Sequence, residues 1–287
     1  MASTYNTLYL DARRALKAAG AGNPQMEARE LLGFAAGKDR EALLRDMSLY
    51  APDDVARRFE ALMARRLKGE PVAYLIGEWS FYGVELDISP DVLVPRDDTE
   101  VLARQAIERV RAAEGQTRVL DLCAGSGCVG LAIAKHCMDA NVMLADIDEG
   151  ALRVCRQNIH RNGLTNRVSA CTADALDKPP AALWDFDVIA ANPPYIPTAD
   201  IDSLDDSVRL FEPRIALDGG ADGLDFYRAI TEKWVSSLRL GGWLLCEVGI
   251  RQAGEVEKLF AKAGLRDIQT YQDTAGIWRV VEGRIDA

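Results

Sequence analysis

Two short stretches hold the residues with the most chemical promise. In "VLDLCAGSGCVG", Val119 to Gly130, Gly125, Gly127 and Gly130 form a GxGxxG pattern at an expected strand-to-helix turn. Glycines there let a ligand approach the backbone, and the helix start exposes N–H groups. In "DVIAANPPYIP", Asp187 to Pro197, an apolar run ends in Asn192, Pro193, Pro194 and Tyr195. Proline fixes φ and has no N–H, so the pair ends any helix or central strand and gives Asn192 and Tyr195 a rigid mount.

Two carboxylates refine the reading. Asp146 closes the next expected strand, "VMLADID", at the usual distance for an acid that accepts both hydroxyls of a ribose. That indicates an adenosine-type cofactor, either a dinucleotide or S-adenosylmethionine. Asp121 lies in the strand end just before the glycines. A second negative charge there gains nothing beside a pyrophosphate, whereas it suits the cationic amino group of S-adenosylmethionine.

Parallel strands leave their C-terminal ends on one edge of a sheet, so Asn192 is expected in the same crevice as Gly125 and Asp146. A planar NH2 group, in a carboxamide or on an adenine, is a poor nucleophile because its lone pair is delocalised. Two acceptors, the side-chain oxygen of Asn192 and a carbonyl of the Pro193–Pro194 segment, would take one N–H each and aim the developing lone pair at an electrophilic methyl group. Tyr195 would pack against the planar group. Positioning matters more here than a strong base, because attack on a sulfonium makes the nitrogen acidic.

These residues need strands and helices in alternation to carry them. From Thr99 onward, runs such as "RVLDLC", "VGLAIAKHC", "NVMLADI", "ALRVCRQNIHRNG" and "FDVIAAN" alternate in that way, which argues for a parallel sheet covered by helices on both faces. Before them, apolar residues recur at helical spacing from Thr4 to about Lys68, with breaks at "GAGNP", "GKDR" and "YAPDD". The expected division is a helical domain over 1–68, a linker with a β-hairpin around Gly83 over 69–95, and a catalytic domain over 96–287. The "PRDDTE" stretch from Pro95 reads either as a helix cap through Asp98 or Thr99 or as a lid whose polar contact is Arg96. The long acidic run Ile196 to Leu224 is expected to wall the site or grip a partner.

Composition narrows the function classes. The 287 residues are 48% hydrophobic, with a formal net charge of -10 and no dense Lys/Arg run, which disfavours a naked nucleic-acid substrate. "RRLKG" at Arg65 to Gly69 is read as a solvated helix end. The six cysteines form no CxxC pair and are read as reduced thiols of a cytoplasmic protein. With only His136 and His160 available, neither a zinc site nor a histidine triad is expected. The N-terminus has no long apolar core, and no run reaches membrane-spanning length.

Taken together, "YLIGEWSFYGVEL", "VLVPRDDTE", "VLDLCAGSGCVGLAIA", "NPPYI", "EPRIALDGGADGLDFYR" and "LLCEVG" resemble the release-factor glutamine N5-methyltransferases, the HemK/PrmC proteins, from about Pro71 to the C-terminus. The resemblance implies a class I S-adenosylmethionine-dependent methyltransferase domain, α/β and Rossmann-like with a seven-stranded doubly wound sheet, behind a small N-terminal all-helical domain that docks the substrate. It implies methyl transfer to the glutamine of the Gly-Gly-Gln motif of peptide-chain release factors, with S-adenosyl-L-homocysteine as product. Ala124, Gly125, Ser126, Gly127, Asp146 and Asn192 would contact the cofactor, and Asn192 to Tyr195 would hold the glutamine. Asp174 and Ala175 would lie near the adenine. The family often carries a bulky residue at the position of Ala175, so Leu176 becomes a candidate for that face. A cytoplasmic monomer with no direct nucleic-acid contact is expected. Methylation of a ribosomal-protein glutamine, or of adenine N6 in a nucleic acid, is the alternative, as is a non-catalytic docking module.

Overall fold

The computed structural model describes residues 3–286, and its contacts divide the chain into two units, 1–77 with 205–211, and 78–204 with 212–287. The first unit is helical. Its elements are α1 (Tyr5–Ala18), α2 (Pro24–Ala36), α3 (Arg40–Asp46), α4 (Asp53–Arg66) and α5 (Val72–Ile76). Side chains fix three of the helix starts: Thr4, Asn23 and Asp39 each accept a backbone N–H of the first turn. Leu16, Leu31 and Leu32, each at most 1% exposed, form the centre of its core. Helix α5 packs on α2 and α4, so this unit runs to Gly77, beyond the helical segment read to Lys68. The "RRLKG" end of α4 is not merely solvated. Arg65 pairs with Glu70, and Arg66, 15% exposed, pairs with Glu27 through Nε at 2.7 Å.

The second unit opens with a hairpin of β1 (Glu78–Phe81) and β2 (Val84–Asp87). Its turn residues Tyr82 and Gly83 both have positive φ, 45° and 76°, the backbone of a tight two-residue hairpin turn. There follow α6 (Glu100–Ala112), β3 (Thr117–Leu122), α7 (Cys128–His136), β4 (Ala140–Asp146), α8 (Glu149–Arg161), β5 (Val168–Thr172) and β6 (Phe186–Ala191). Beyond the excursion, which contributes the one-turn α9 (Asp206–Arg209) to the helical unit, come α10 (Asp225–Ala229), β7 (Leu238–Glu247), α11 (Ala253–Lys262), β8 (Arg266–Gln272) and β9 (Trp278–Arg284).

Seven strands form one sheet in the order β5-β4-β3-β6-β7-β9-β8. All neighbours are parallel except β9, which runs antiparallel to β7 and β8. The central strands are apolar on both faces, and β6 is buried at every position, as a sheet covered on both sides requires. Phe186, Tyr227, Trp234 and Phe260, none with measurable exposure, fill much of the core. The strand order changes direction at β3, whose two neighbours are β4 and β6, and a ligand crevice is expected beyond the carboxyl ends of strands at such a point.

Candidate active site

Register brings the site residues to one edge. Leu122 pairs with Ala145 on one side and Ala191 on the other, and Ala191 pairs in turn with Cys246. The residues just beyond these rungs, Cys123, Asp146, Asn192 and Glu247, therefore emerge side by side. A cavity at this edge is lined by Asp121, Ala124, Gly125, Ser126, Asp146, Asp174, Ala175 and Asn192, with Pro95, Arg96 and Thr99 from the segment before α6. Gly127 is not among its lining, and it stands one residue into the turn with φ 79° as the cap of α7.

The glycine turn is tied to both carboxylates. Asp146 accepts the Gly125 N–H on Oδ2 at 2.8 Å and the Asp148 N–H on Oδ1 at 3.0 Å. Burial raises its pKa, and those two N–H groups oppose the rise. Asp121 accepts the Gly130 N–H on Oδ2 at 2.8 Å and is 2% exposed. Burial pushes its carboxyl up to about 8, opposed by the Gly130 N–H and reinforced by the Asp146 charge. The third glycine serves packing: a Cβ on Gly130 would lie 2.3 Å from Leu144 and 3.1 Å from the Asp121 Cβ. Asn158, fully buried on α8, bridges this turn to the hairpin by donating Nδ2 to Ser126 O at 2.9 Å and to Asp87 O at 3.0 Å.

Asn192 is half-buried and donates Nδ2 to the Thr99 hydroxyl at 3.3 Å. Its Oδ1 takes no hydrogen bond from a described residue, and neither does the carbonyl oxygen of Pro194, which lines the cavity with it. Pro193 is buried and is not among the cavity-lining residues. A Cβ on Gly219 would lie 2.8 Å from Pro194 O, so that carbonyl is flanked by the glycine-rich segment.

Tyr195 differs from the sequence-based expectation that it packs against the substrate. It is not among the cavity-lining residues. Its hydroxyl donates to Glu247 Oε1 at 3.4 Å, and its carbonyl accepts Gln252 Nε2 at 2.9 Å. Thr99, one of the two candidate caps, makes no cap hydrogen bond; it is buried beside Asn192. Arg96 lines the cavity and pairs with the nearly buried Glu212 of the excursion, whose following residues Pro213, Ile215 and Ala216 line the same cavity. Phe81, 3% exposed, is a packing residue, and neither it nor Tyr82 lines the cavity. Ala175 is buried and holds the Trp234 indole N–H on its carbonyl at 3.1 Å, while the exposed Leu176 lines the cavity beside it.

Sequence reading missed Thr99, Asn158 and Glu247 as site-building residues. Glu247 is 2% exposed. Burial raises its carboxyl to about 7, opposed by the Thr99 hydroxyl, the Arg279 charge and the Tyr195 hydroxyl. An acid ending the apolar run "WLLCE" was the available signal. All six cysteines are free, and no group of three metal-ligating side chains occurs among the described residues. No described helix is long and apolar enough to cross a membrane.

Comparison with known proteins agrees with this architecture. Residues 7–77 match the PrmC N-terminal domain family and residues 98–205 the Methyltransferase small domain family. A release factor glutamine methyltransferase of Geobacter sulfurreducens is 41% identical over 93% of this chain and 91% of its own length. Another, from Agrobacterium fabrum, is 34% identical over 98% of each chain. A solved methyltransferase structure from Pyrococcus furiosus superposes with a TM-score of 0.54 at 18% identity, over 79% of this chain and 100% of the other, which speaks for the fold alone.

Proposed function

This chain belongs to the release factor glutamine methyltransferase family, and from that premise we propose that it transfers a methyl group from S-adenosylmethionine to the glutamine side chain of the Gly-Gly-Gln motif of peptide-chain release factors. When bound, S-adenosylmethionine supplies an electrophilic methyl group on a sulfonium centre. The donor set suits it. Asp121 lies where a carboxylate can face the amino cation, and Asp146 closes β4 where it can take ribose hydroxyls. Gly125, with open space where a Cβ would stand and φ 55°, admits the cofactor close to the backbone.

The observation that carries the reading is the commitment of the Asn192 Nδ2 to Thr99. It leaves Oδ1, together with the unpaired carbonyl of Pro194, to receive the two N–H bonds of a carboxamide. Held this way, the amide nitrogen sheds its conjugation and presents a lone pair along a fixed direction. In this reading the unit spanning 1–77 is the docking module and the unit carrying the sheet is catalytic. A net charge of -10 supports a protein partner over a nucleic acid. The reading places the enzyme in the cytoplasm, where release factors act, and six free thiols support that.

The test is a transfer assay with methyl-labelled S-adenosylmethionine, comparing a wild-type release factor with one whose Gly-Gly-Gln glutamine is replaced. Label confined to the wild-type substrate is the expected result. Label on both would place the methylated residue elsewhere in the release factor, and label on neither with the cofactor bound would send the search to ribosomal proteins and then to RNA. Asn192→Ala should lower kcat by about 100-fold, the usual cost of one pre-organised polar contact to the reacting group. Near-normal turnover would remove Asn192 from the role assigned to it.

A further inference from the structure

Gln252, the residue before α11, joins three separate stretches of the sheet-bearing unit through one carboxamide. Its Oε1 accepts the Gly249 N–H at 2.9 Å, and its Nε2 donates to Tyr195 O at 2.9 Å and to Gly223 O at 3.2 Å. Its backbone N–H closes the same turn by donating to Gly249 O at 3.1 Å. The partners fix which way the carboxamide faces, because the Gly249 N–H must meet an oxygen and the two carbonyls must meet an NH2.

Glycines let the backbone close in around these bonds. A Cβ on Gly223 would lie 2.3 Å from Tyr195 O and 2.6 Å from Gln252 Nε2, and one on Gly249 would lie 2.7 Å from Gln252 Oε1 and 3.0 Å from the Tyr195 ring. A Cβ on Gly219 would lie 2.8 Å from both Pro194 O and Tyr195 Cα. The Pro194–Tyr195 peptide is thus packed against bare backbone on more than one side. It carries the Pro194 carbonyl, one of the two acceptors assigned to the substrate amide. A peptide plane is rigid, so only ψ of Pro194 and φ of Tyr195 can turn that oxygen. The Pro194 ring holds φ upstream. Downstream, Tyr195 is held by its carbonyl through Gln252 and by its hydroxyl through Glu247 at 3.4 Å. The next links continue the anchorage, with the Ile196 N–H on Leu217 O at 3.0 Å and the Gly219 N–H on Ile196 O at 2.9 Å.

We infer that Gln252 is a positioning residue for methyl transfer: by holding the Tyr195 carbonyl it aims the Pro194 carbonyl at the substrate amide. The inference rests on the proposed role of Asn192 and Pro194 as acceptors of that amide. Gln252 does not line the cavity, so it acts through the backbone it holds and touches neither substrate nor cofactor. Without its NH2, the carbonyls of Tyr195 and Gly223 lose a shared donor, and the peptide that carries the Pro194 oxygen loses its downstream clamp.

Two variants decide it. Gln252→Met keeps the length of the side chain and removes both ends of the carboxamide. Gln252→Glu keeps the shape and the acceptor for Gly249 but, when ionised, offers no N–H to Tyr195. On the full-length protein, kcat and KM are measured with release factor at saturating S-adenosylmethionine, the cofactor dissociation constant by calorimetry, and hydrogen exchange by 15N NMR. Gln252→Met is expected to lower kcat by about tenfold or more, with release-factor KM within about threefold and cofactor affinity within about twofold. It should speed exchange of the Ile196 and Gly219 amides by about tenfold or more and leave those of β6 unchanged, whereas a general loss of stability would speed both. Gln252→Glu should lose at least as much turnover, because its carboxylate repels the two carbonyls. In the wild type, the Gln252 NH2 should exchange about tenfold or more slowly than that of the exposed Gln25.

Wild-type turnover in either variant, or a Gln252 NH2 that exchanges as fast as that of Gln25, would overturn the inference and leave the release-factor reading standing. The second readout needs no variant, so it decides even if both substitutions prevent folding. Should the wild type methylate no release factor, that reading fails by itself. Exchange in Gln252→Met then decides whether Gln252 holds the Pro194–Tyr195 segment: faster exchange confined to Ile196 and Gly219 supports it, and unchanged or uniformly faster exchange overturns it.

Discussion

Asp121 and Gly130 meet across the turn from β3 to α7, the carboxylate taking the helical N–H at 2.8 Å while a side chain on the glycine would strike β4. One contact thus seats the helix on the sheet and holds a buried acid at the cavity wall. The geometry has consequences for binding, because an acid with a pKa of about 8 is mostly protonated at neutral pH before a cation arrives.

Affinity for the cationic cofactor should therefore rise with pH. Between pH 6 and 7 the amino group of S-adenosylmethionine stays mostly charged while the ionised fraction of Asp121 grows, so binding should tighten by up to about tenfold over that unit. It should level off toward pH 8, where the amino group itself loses its proton. Calorimetric titration at several pH values reads this directly. Asp121→Asn should bind more weakly and flatten the profile, and a wild-type profile that is already flat would place the amino group elsewhere.

Asp146→Ala should act on cofactor affinity more than on turnover. It removes the expected ribose acceptor and leaves the Gly125 and Asp148 N–H groups without theirs. A loss of about tenfold or more in cofactor affinity is expected, with kcat at saturating cofactor much less affected. An unchanged dissociation constant would contradict the ribose role.

Gly223 has φ 74°, and an added Cβ would stand 2.3 Å from the carbonyl oxygen of Tyr195. Both strain and collision fall on the backbone that carries the prolines. Gly223→Ala should cost roughly 1–3 kcal/mol in stability and lower turnover as well, whereas Gly264→Ala, which also has positive φ but open space around it, should pay the strain alone and keep its turnover. Urea unfolding and kcat measured on both variants separate the two effects.

Burial raises Glu247 from its ordinary 4.5 to about 7, so the folded protein holds a proton there that the unfolded chain has released. The stability tied to that proton is fully present below about pH 4.5 and is lost as pH rises through about 7. The loss is on the order of a few kcal/mol. Glu247→Gln has no such proton to lose. Relative to wild type it should gain stability between pH 5 and pH 8, and an equal difference at both values in chemical unfolding would refute the raised pKa.

The parts of the site that were legible in the sequence are those built from near neighbours or from one edge of a sheet. Gly125 and Gly127 stand in the strand-to-helix turn that their spacing announced, and both adopt a left-handed backbone there, at φ 55° and 79°. Strand alternation sufficed to bring Asp121, Asp146 and Asn192 to one cavity, since parallel strands must end on the same side. Thr99 was not legible, because a hydroxyl next to two acids at a helix start has a local explanation as a cap, whereas its partner Asn192 lies 93 residues away. Glu247 was hidden for the related reason that its hydroxyl partners, Tyr195 and Tyr227, come from other stretches of chain. Tyr195 was read as packing against the substrate; in the structure its ring lies on the Gly249 side, where a Cβ would come within 3.0 Å of it, and its hydroxyl reaches Glu247.

The short run 205–211 belongs to the helical unit although it lies in the middle of the other unit's sequence. There Phe211 comes to 3.3 Å of the Cβ position of Gly69. No single cut in the chain can yield both units whole. A fragment ending at Gly77 lacks the residues that cover Gly69, and one beginning at Glu78 carries a stretch whose own packing partners have been discarded. During synthesis, residues 205–211 follow residue 77 by more than a hundred positions, so the helical unit gains its last segment only after most of the other unit's sequence has been made.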